Sequence, residues 1–133
     1  MEAYFQNMVE ELRQIRRDLH KIPELGLKEY KTSSYIREKL KGFGITELET
    51  WLETGVVAVI RGKGKGQAVA FRADMDALPV TEQTGCDFTS EHVGCMHACG
   101  HDGHVTVLLG FAKYLQEHKD ELENDVVLIF QPA

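Results

Sequence analysis

Proline is scarce in this sequence, at 3 of 133 residues, and so is cysteine, also 3. The first scarcity excludes collagen-like and low-complexity chains, and the second excludes a disulfide-stapled scaffold. Cys86, Cys95 and Cys99 are odd in number and irregular in spacing, which suits a reducing compartment with free or metal-bound thiols. Basic charge is also in deficit. Lys and Arg total 15 against 21 Asp and Glu, a formal net charge of -6, so the concentrated excess of cations that nucleic acid requires is missing. The densest basic stretch, Arg61 to Lys65, interleaves Gly62 and Gly64 and reads as a solvated turn. Long apolar runs are absent too. The longest, Val56 to Ile60 and Val126 to Phe130, fall far below the roughly 20 residues of a membrane helix. No basic head followed by an apolar stretch opens the chain, so a cytoplasmic location with no membrane partner is expected.

What is present is the composition of one globular domain, 43% hydrophobic and 27% charged, large enough to bury roughly two-thirds of its unfolded surface. Phe5, Met8, Val9, Leu12, Ile15 and Leu19 recur at helical spacing and predict an amphipathic helix from Ala3 to His20, stopped by Pro23. A second helix is predicted from about Lys28 to Lys41, with Tyr35, Ile36 and Leu40 on its apolar face. Val56 to Ile60 and Ala68 to Ala73 read as strands joined by the Gly/Lys turn. The second of these is apolar on both faces, as in an interior strand. Asp74 to Cys95 reads as loop. Val107, Leu108, Phe111, Ala112 and Leu115 predict a helix from Gly103 to about Gln116 with Asp102 as its N-cap, and a last strand follows from Asp125 to Gln131. Helices alternating with apolar strands predict a layered α/β sheet.

Four histidines and two cysteines crowd into His92-Val-Gly-Cys95-Met-His97-Ala-Cys99-Gly-His101-Asp-Gly-His104. Thiolate and imidazole are ligands for zinc and related divalent ions, and Gly100 between Cys99 and His101 gives the backbone freedom for a turn that aims both inward. These two are the candidate metal ligands. His97, Asp102 and His104 are candidates for supporting or substrate-facing roles. The second informative place is Arg72-Ala-Asp74-Met-Asp76-Ala-Leu-Pro79, at the end of a strand, where sites of open α/β sheets gather. Two carboxylates there call for a cation, and one of them can orient a ligating His.

With Arg16-Arg17-Asp-Leu-His20-Lys-Ile-Pro23-Glu24-Leu-Gly26 and Glu29-x-x-Thr32 upstream, these motifs resemble the M20 metallopeptidase family, and within it the amidohydrolases: hippurate hydrolases, auxin-conjugate hydrolases and N-acetyldiaminopimelate deacetylases. The resemblance runs from Arg13 to Ala133. It implies a layered α-β-α sheet of the zinc-peptidase type and hydrolysis of the amide of N-acyl amino acids. It also implies two divalent ions per complete site, Mn or Zn with Co or Ni as further options, metal ligands at Cys99 and His101, and a catalytic aspartate at Asp76 or Asp74. The family continues past a Gln-Pro-Ala segment into a Glu pair that supplies the general base and a ligand, then a lid domain that can pair two subunits. On that pattern residues 1 to 133 are the N-terminal part of the catalytic domain. They are expected to be inactive alone, and prone to self-association through an open sheet edge at Val126 to Phe130. A structural zinc module built from Cys95, Cys99, His101 and His104 is the alternative, although its donors would all come from one short stretch. A thiol redox pair at Cys95 and Cys99 lacks C-x-x-C spacing.

Overall fold

A computed structural model describes residues 1–133. The predicted first helix is divided into α1 (Glu2–Asn7) and α2 (Val9–Lys21). Met8 lies between them at φ -91 and ψ -3, so the axis bends without the chain leaving helical backbone. The second helix, α3 (Tyr30–Gly42), buries Thr32, Ser33, Ile36 and Leu40. Its start is capped from outside: the Glu24 carboxylate accepts from the backbone N–H groups of Lys31 at 3.1 Å and Thr32 at 2.7 Å, two of the donors a helix start leaves unpaired.

The sheet contains β1 (Leu48–Trp51), β2 (Gly55–Ile60), β3 (Val69–Asp74) and β4 (Val126–Gln131), in the order β1-β2-β4-β3. β1 and β2 form an antiparallel pair, β4 runs antiparallel to β2, and β3 lies parallel to β4. The parallel pair needs a crossover, which α4 (His101–Glu117) supplies. Three expectations change here. β2 and β3 are not neighbours, because β4 inserts between them; the Gly/Lys segment crosses the end of β4 instead. A Cβ at Gly62 would stand 2.4 Å from the Asn124 carbonyl oxygen, so this crossing requires glycine. β3 is an edge strand with Val69 and Phe71 exposed, not a strand covered on both sides. β4 is central and paired on both sides, so the open edges are those of β1 and β3, not of Val126–Phe130. β1 was not anticipated, since its acidic, mostly exposed sequence has no apolar stripe to mark it.

One hydrophobic cluster joins the layers. Ile15 and Leu19 of α2, Ile36 and Leu40 of α3, and Val105, Leu109 and Ala112 of α4 meet Val56, Ala58, Ile60, Leu128 and Phe130 of the sheet. Along β2 and β4 the intervening Val57, Val59, Val127 and Ile129 are only half-buried, the alternation expected of a sheet packed more heavily on one face. The α/β class therefore stands. No helix is long and apolar enough to cross a membrane. For the site, the important consequence is local: α4 packs along β3, which sets the start of the helix beside the end of the strand.

Candidate metal centre

At Asp74 the strand β3 ends, and the parallel ladder is prolonged by one bond from the Met75 N–H to the Gln131 carbonyl, 3.0 Å. Ala77 N–H bonds the Glu24 carbonyl at 2.8 Å, and Leu78 pairs with Met96 in an isolated antiparallel bridge. That bridge clamps the two ends of the long loop together, so the Asp74–Asp76 segment and the His97–His104 segment become neighbours. Gly100 then turns the chain at φ 112, a left-handed backbone that disfavours any side chain, and serves as the N-cap of α4. Asp102, expected as the cap, instead lies inside the first turn and is buried.

The donor atoms of Asp74, His101 and His104 all lie within 4.8 Å of one another. His101 Nδ1 faces the Asp76 carboxylate at 2.9 Å and the Asp76 carbonyl at 3.0 Å. Donation there places the ring proton on Nδ1 and leaves the Nε2 lone pair available, 3.9 Å from Asp74 Oδ2. The His101 and His104 rings are 5.4 Å apart between centroids. Arg72 sits 3.2 Å from the other Asp74 oxygen and offsets part of its charge. Partly exposed imidazole nitrogens and a carboxylate, with one nitrogen orientated and unpartnered, are a donor set that fits a divalent ion of the zinc or manganese kind.

The remaining candidates are placed differently. Cys99 is exposed and Cys95 buried, and neither belongs to a convergent group of three donors, so the four-donor structural zinc arrangement is not assembled. Asp102 faces α2, where one carboxylate oxygen accepts from Arg16 Nε at 3.0 Å and from His20 Nδ1 at 2.8 Å. His97 is 5% exposed and neither of its ring nitrogens has a hydrogen-bond partner. Burial pushes its pKa down to about 4, with the nearby Asp102 charge acting in the opposite direction, so the ring is neutral. Two more residues belong to this neighbourhood: His20, part of the upstream motif but given no role there, and Glu82, which no motif marks. The available signal was that Arg16 and His20 are four apart on α2, each adjacent to the buried Ile15 and Leu19, and so share the edge of its apolar stripe.

A parallel strand ending in carboxylates thus lies against a helix that starts with histidines, in one α/β domain. Residues 70–133 match the model of Peptidase family M20/M25/M40. The chain is 50% identical over 119 residues to N-acetyl-L-cysteine deacetylase of Bacillus subtilis (strain 168), covering 90% of this chain and 29% of the relative. It is 44% identical over 128 residues to N-acetyldiaminopimelate deacetylase of Oceanobacillus iheyensis, covering 95% and 34%. Among solved structures it is similar to the Bacillus subtilis YXEP protein, a dinuclear metal binding peptidase from the M20 family. The TM-score is 0.88 at 42% identity, over all of this chain and 36% of that one. The chain thus spans about a third of the length of the relatives it matches.

Proposed function

We propose that the chain is the N-terminal part of the catalytic domain of a metal-dependent amidohydrolase that cleaves the amide bond of N-acyl amino acids. The observation that carries this reading is the convergence of Asp74, His101 and His104, with His101 orientated by Asp76, in a chain whose relatives include two deacetylases. His101 through Nε2, Asp74 and His104 are the groups that would hold a divalent ion. Cys99 is a ligand by resemblance. Two ions, Mn or Zn, suit the completed site, and Co or Ni suit the same donors. A bound divalent ion polarises an amide carbonyl and lowers the pKa of a coordinated water.

The chain's own residues prepare that chemistry. Asp76 fixes the tautomer and ring direction of His101, and Arg72 restrains Asp74. Asp76 is thereby a positioning carboxylate, with Asp74 the one that faces the ion. The partners are small N-acyl amino acids, with the cytoplasm as the site of action and a lid-mediated homodimer as the assembly of the complete enzyme. The open edge of β3, where Val69 and Phe71 are exposed, is a surface for self-association of residues 1 to 133.

The test is metal titration by calorimetry with Zn and Mn on the 133-residue chain and on His101→Ala. Saturable binding by the parent and its loss in the variant are expected. A parent that binds neither ion sinks the proposal. Hydrolysis of N-acetyl and N-benzoyl amino acids, assayed on the longest protein the gene encodes and on residues 1 to 133 alone, should appear in the former only.

A further inference from the structure

The largest set of buried ionisable groups outside the site links three separate parts of the chain. His20, near the end of α2, is held between two carboxylates: Nδ1 lies 2.8 Å from Asp102 Oδ2, and Nε2 lies 3.0 Å from Glu82 Oε1. The three side chains are 4%, 1% and 3% exposed. Glu82 in turn accepts from the Ser90 N–H at 2.9 Å and from the Thr84 hydroxyl, which fastens the loop between β3 and α4. Arg16 completes the set at Asp102 Oδ2 and, with Arg17, lies over the ring of Phe88 in the same loop. An imidazole with a carboxylate oxygen at each nitrogen satisfies both only by donating from both. Asparagine or glutamine, with its amide nitrogen on one side of a single terminal group, cannot reproduce that.

The location gives the network its purpose. Asp102 is the residue between His101 and the Gly103-His104 pair, in the first turn of α4, and it is the only residue of that turn whose side chain is anchored to α2. A helix start launched from a left-handed glycine is free to swivel unless something fixes it, and residues of a helix turn move together. We infer that His20 is a positioning residue for the metal centre: by binding Asp102 on one side and Glu82 on the other, it fixes the first turn of α4 and the Glu82–Ser90 loop in the register that brings His101 and His104 to Asp74. This rests on the metal-centre reading above. Buried charged networks cost desolvation and are better explained by the geometry they impose than by net stability.

The experiment compares the chain with His20→Gln and Arg16→Gln. It uses Co(II) titration followed by visible d–d absorption, hydrogen exchange of the amides of residues 101–104, and thermal melting. His20→Gln should weaken Co(II) binding about tenfold or more, the range seen when groups that orient ligands are removed, change the band shape, and speed exchange in that turn. Arg16→Gln, a half-exposed position that leaves no carboxylate without a partner, should act in the same direction by about two- to threefold. A His20→Gln chain that melts lower yet binds Co(II) with the parent's affinity and spectrum overturns the proposal and leaves a structural role. If His20→Gln does not fold, unchanged binding and exchange in Arg16→Gln overturns it equally. If the parent binds no Co(II), the metal-centre reading fails separately, and parent-like exchange at residues 101–104 in His20→Gln still refutes the positioning claim.

Discussion

Two clusters of histidine and aspartate flank the first turn of α4, and they behave in opposite ways. On one side His20, Asp102, Glu82 and Arg16 answer one another, with every buried nitrogen and oxygen of the imidazole contacts paired. On the other, Asp74, His101 and His104 bring donor atoms together without closing on each other, and the nearby buried His97 has no partner at either nitrogen. The residue types are the same, so composition does not separate structure from chemistry. Partnering does: a satisfied network holds position, whereas convergent lone pairs with no donor between them are arranged for something else to bind.

This contrast can be broken experimentally, and the closed side should give the largest effect. Asp102→Ala leaves His20 and Arg16 without their shared carboxylate and should lower stability by about 3–5 kcal/mol, the usual result of breaking a buried ion pair; urea unfolding of the two chains measures it. His101→Ala should do the reverse, leaving the urea midpoint nearly unchanged while weakening Zn or Mn binding about 100-fold, which is about 2.7 kcal/mol, by calorimetric titration. Should His101→Ala unfold the chain while Asp102→Ala is harmless, the assignment of the two clusters is inverted.

The unpartnered His97 offers an intermediate effect through pH. Its folded pKa of about 4 lies below the ordinary 6.5, so between these values the unfolded chain binds a proton that the folded chain does not. Its contribution is therefore intact above about pH 6.5 and erodes as pH falls toward 4, by on the order of 3 kcal/mol. In metal-free buffer, His97→Phe should flatten that part of the stability profile; identical slopes for the two chains would show that the ring is not held neutral by burial.

Smaller changes sharpen the open side. Asp76→Asn keeps the size of the side chain but weakens the hold on His101 Nδ1, and about tenfold weaker metal binding with little change in unfolding is expected. Cys95→Ala should leave metal affinity within a factor of about two, because the buried thiol lies outside the convergent donors. A loss equal to that of His101→Ala would restore the structural zinc arrangement.

Much of this was legible along the chain. Helical spacing in Ile15 and Leu19, and in Leu108, Phe111, Ala112 and Leu115, located α2 and α4, and the β-branched runs located β2 and β4, because these patterns arise from neighbours a few residues apart. The Asp74-Met-Asp76 and Cys99-Gly-His101-Asp-Gly-His104 motifs point to a metal and to the M20 resemblance through residue type and spacing alone. β1 was not legible, since an exposed edge strand with Glu49 and Thr50 carries no apolar alternation, and β3 misled, since an apolar run reads the same at the edge of a sheet as at its centre.

The sequence by itself determined the local elements, the α/β class and the residue types of the site, all set by interactions over one or two turns or by contiguous motifs. Only the tertiary structure decided that β4 separates β2 from β3, that Gly100 rather than Asp102 caps α4, and that Asp74 and His104 join His101 while Cys99 stays outside. It alone paired His20 with Asp102 and Glu82 across 82 and 62 positions. Contacts at such separations depend on the strand order and on the path of the β3–α4 crossover. No periodicity or spacing encodes these, because they are fixed only when the helices and the sheet bury their apolar faces together.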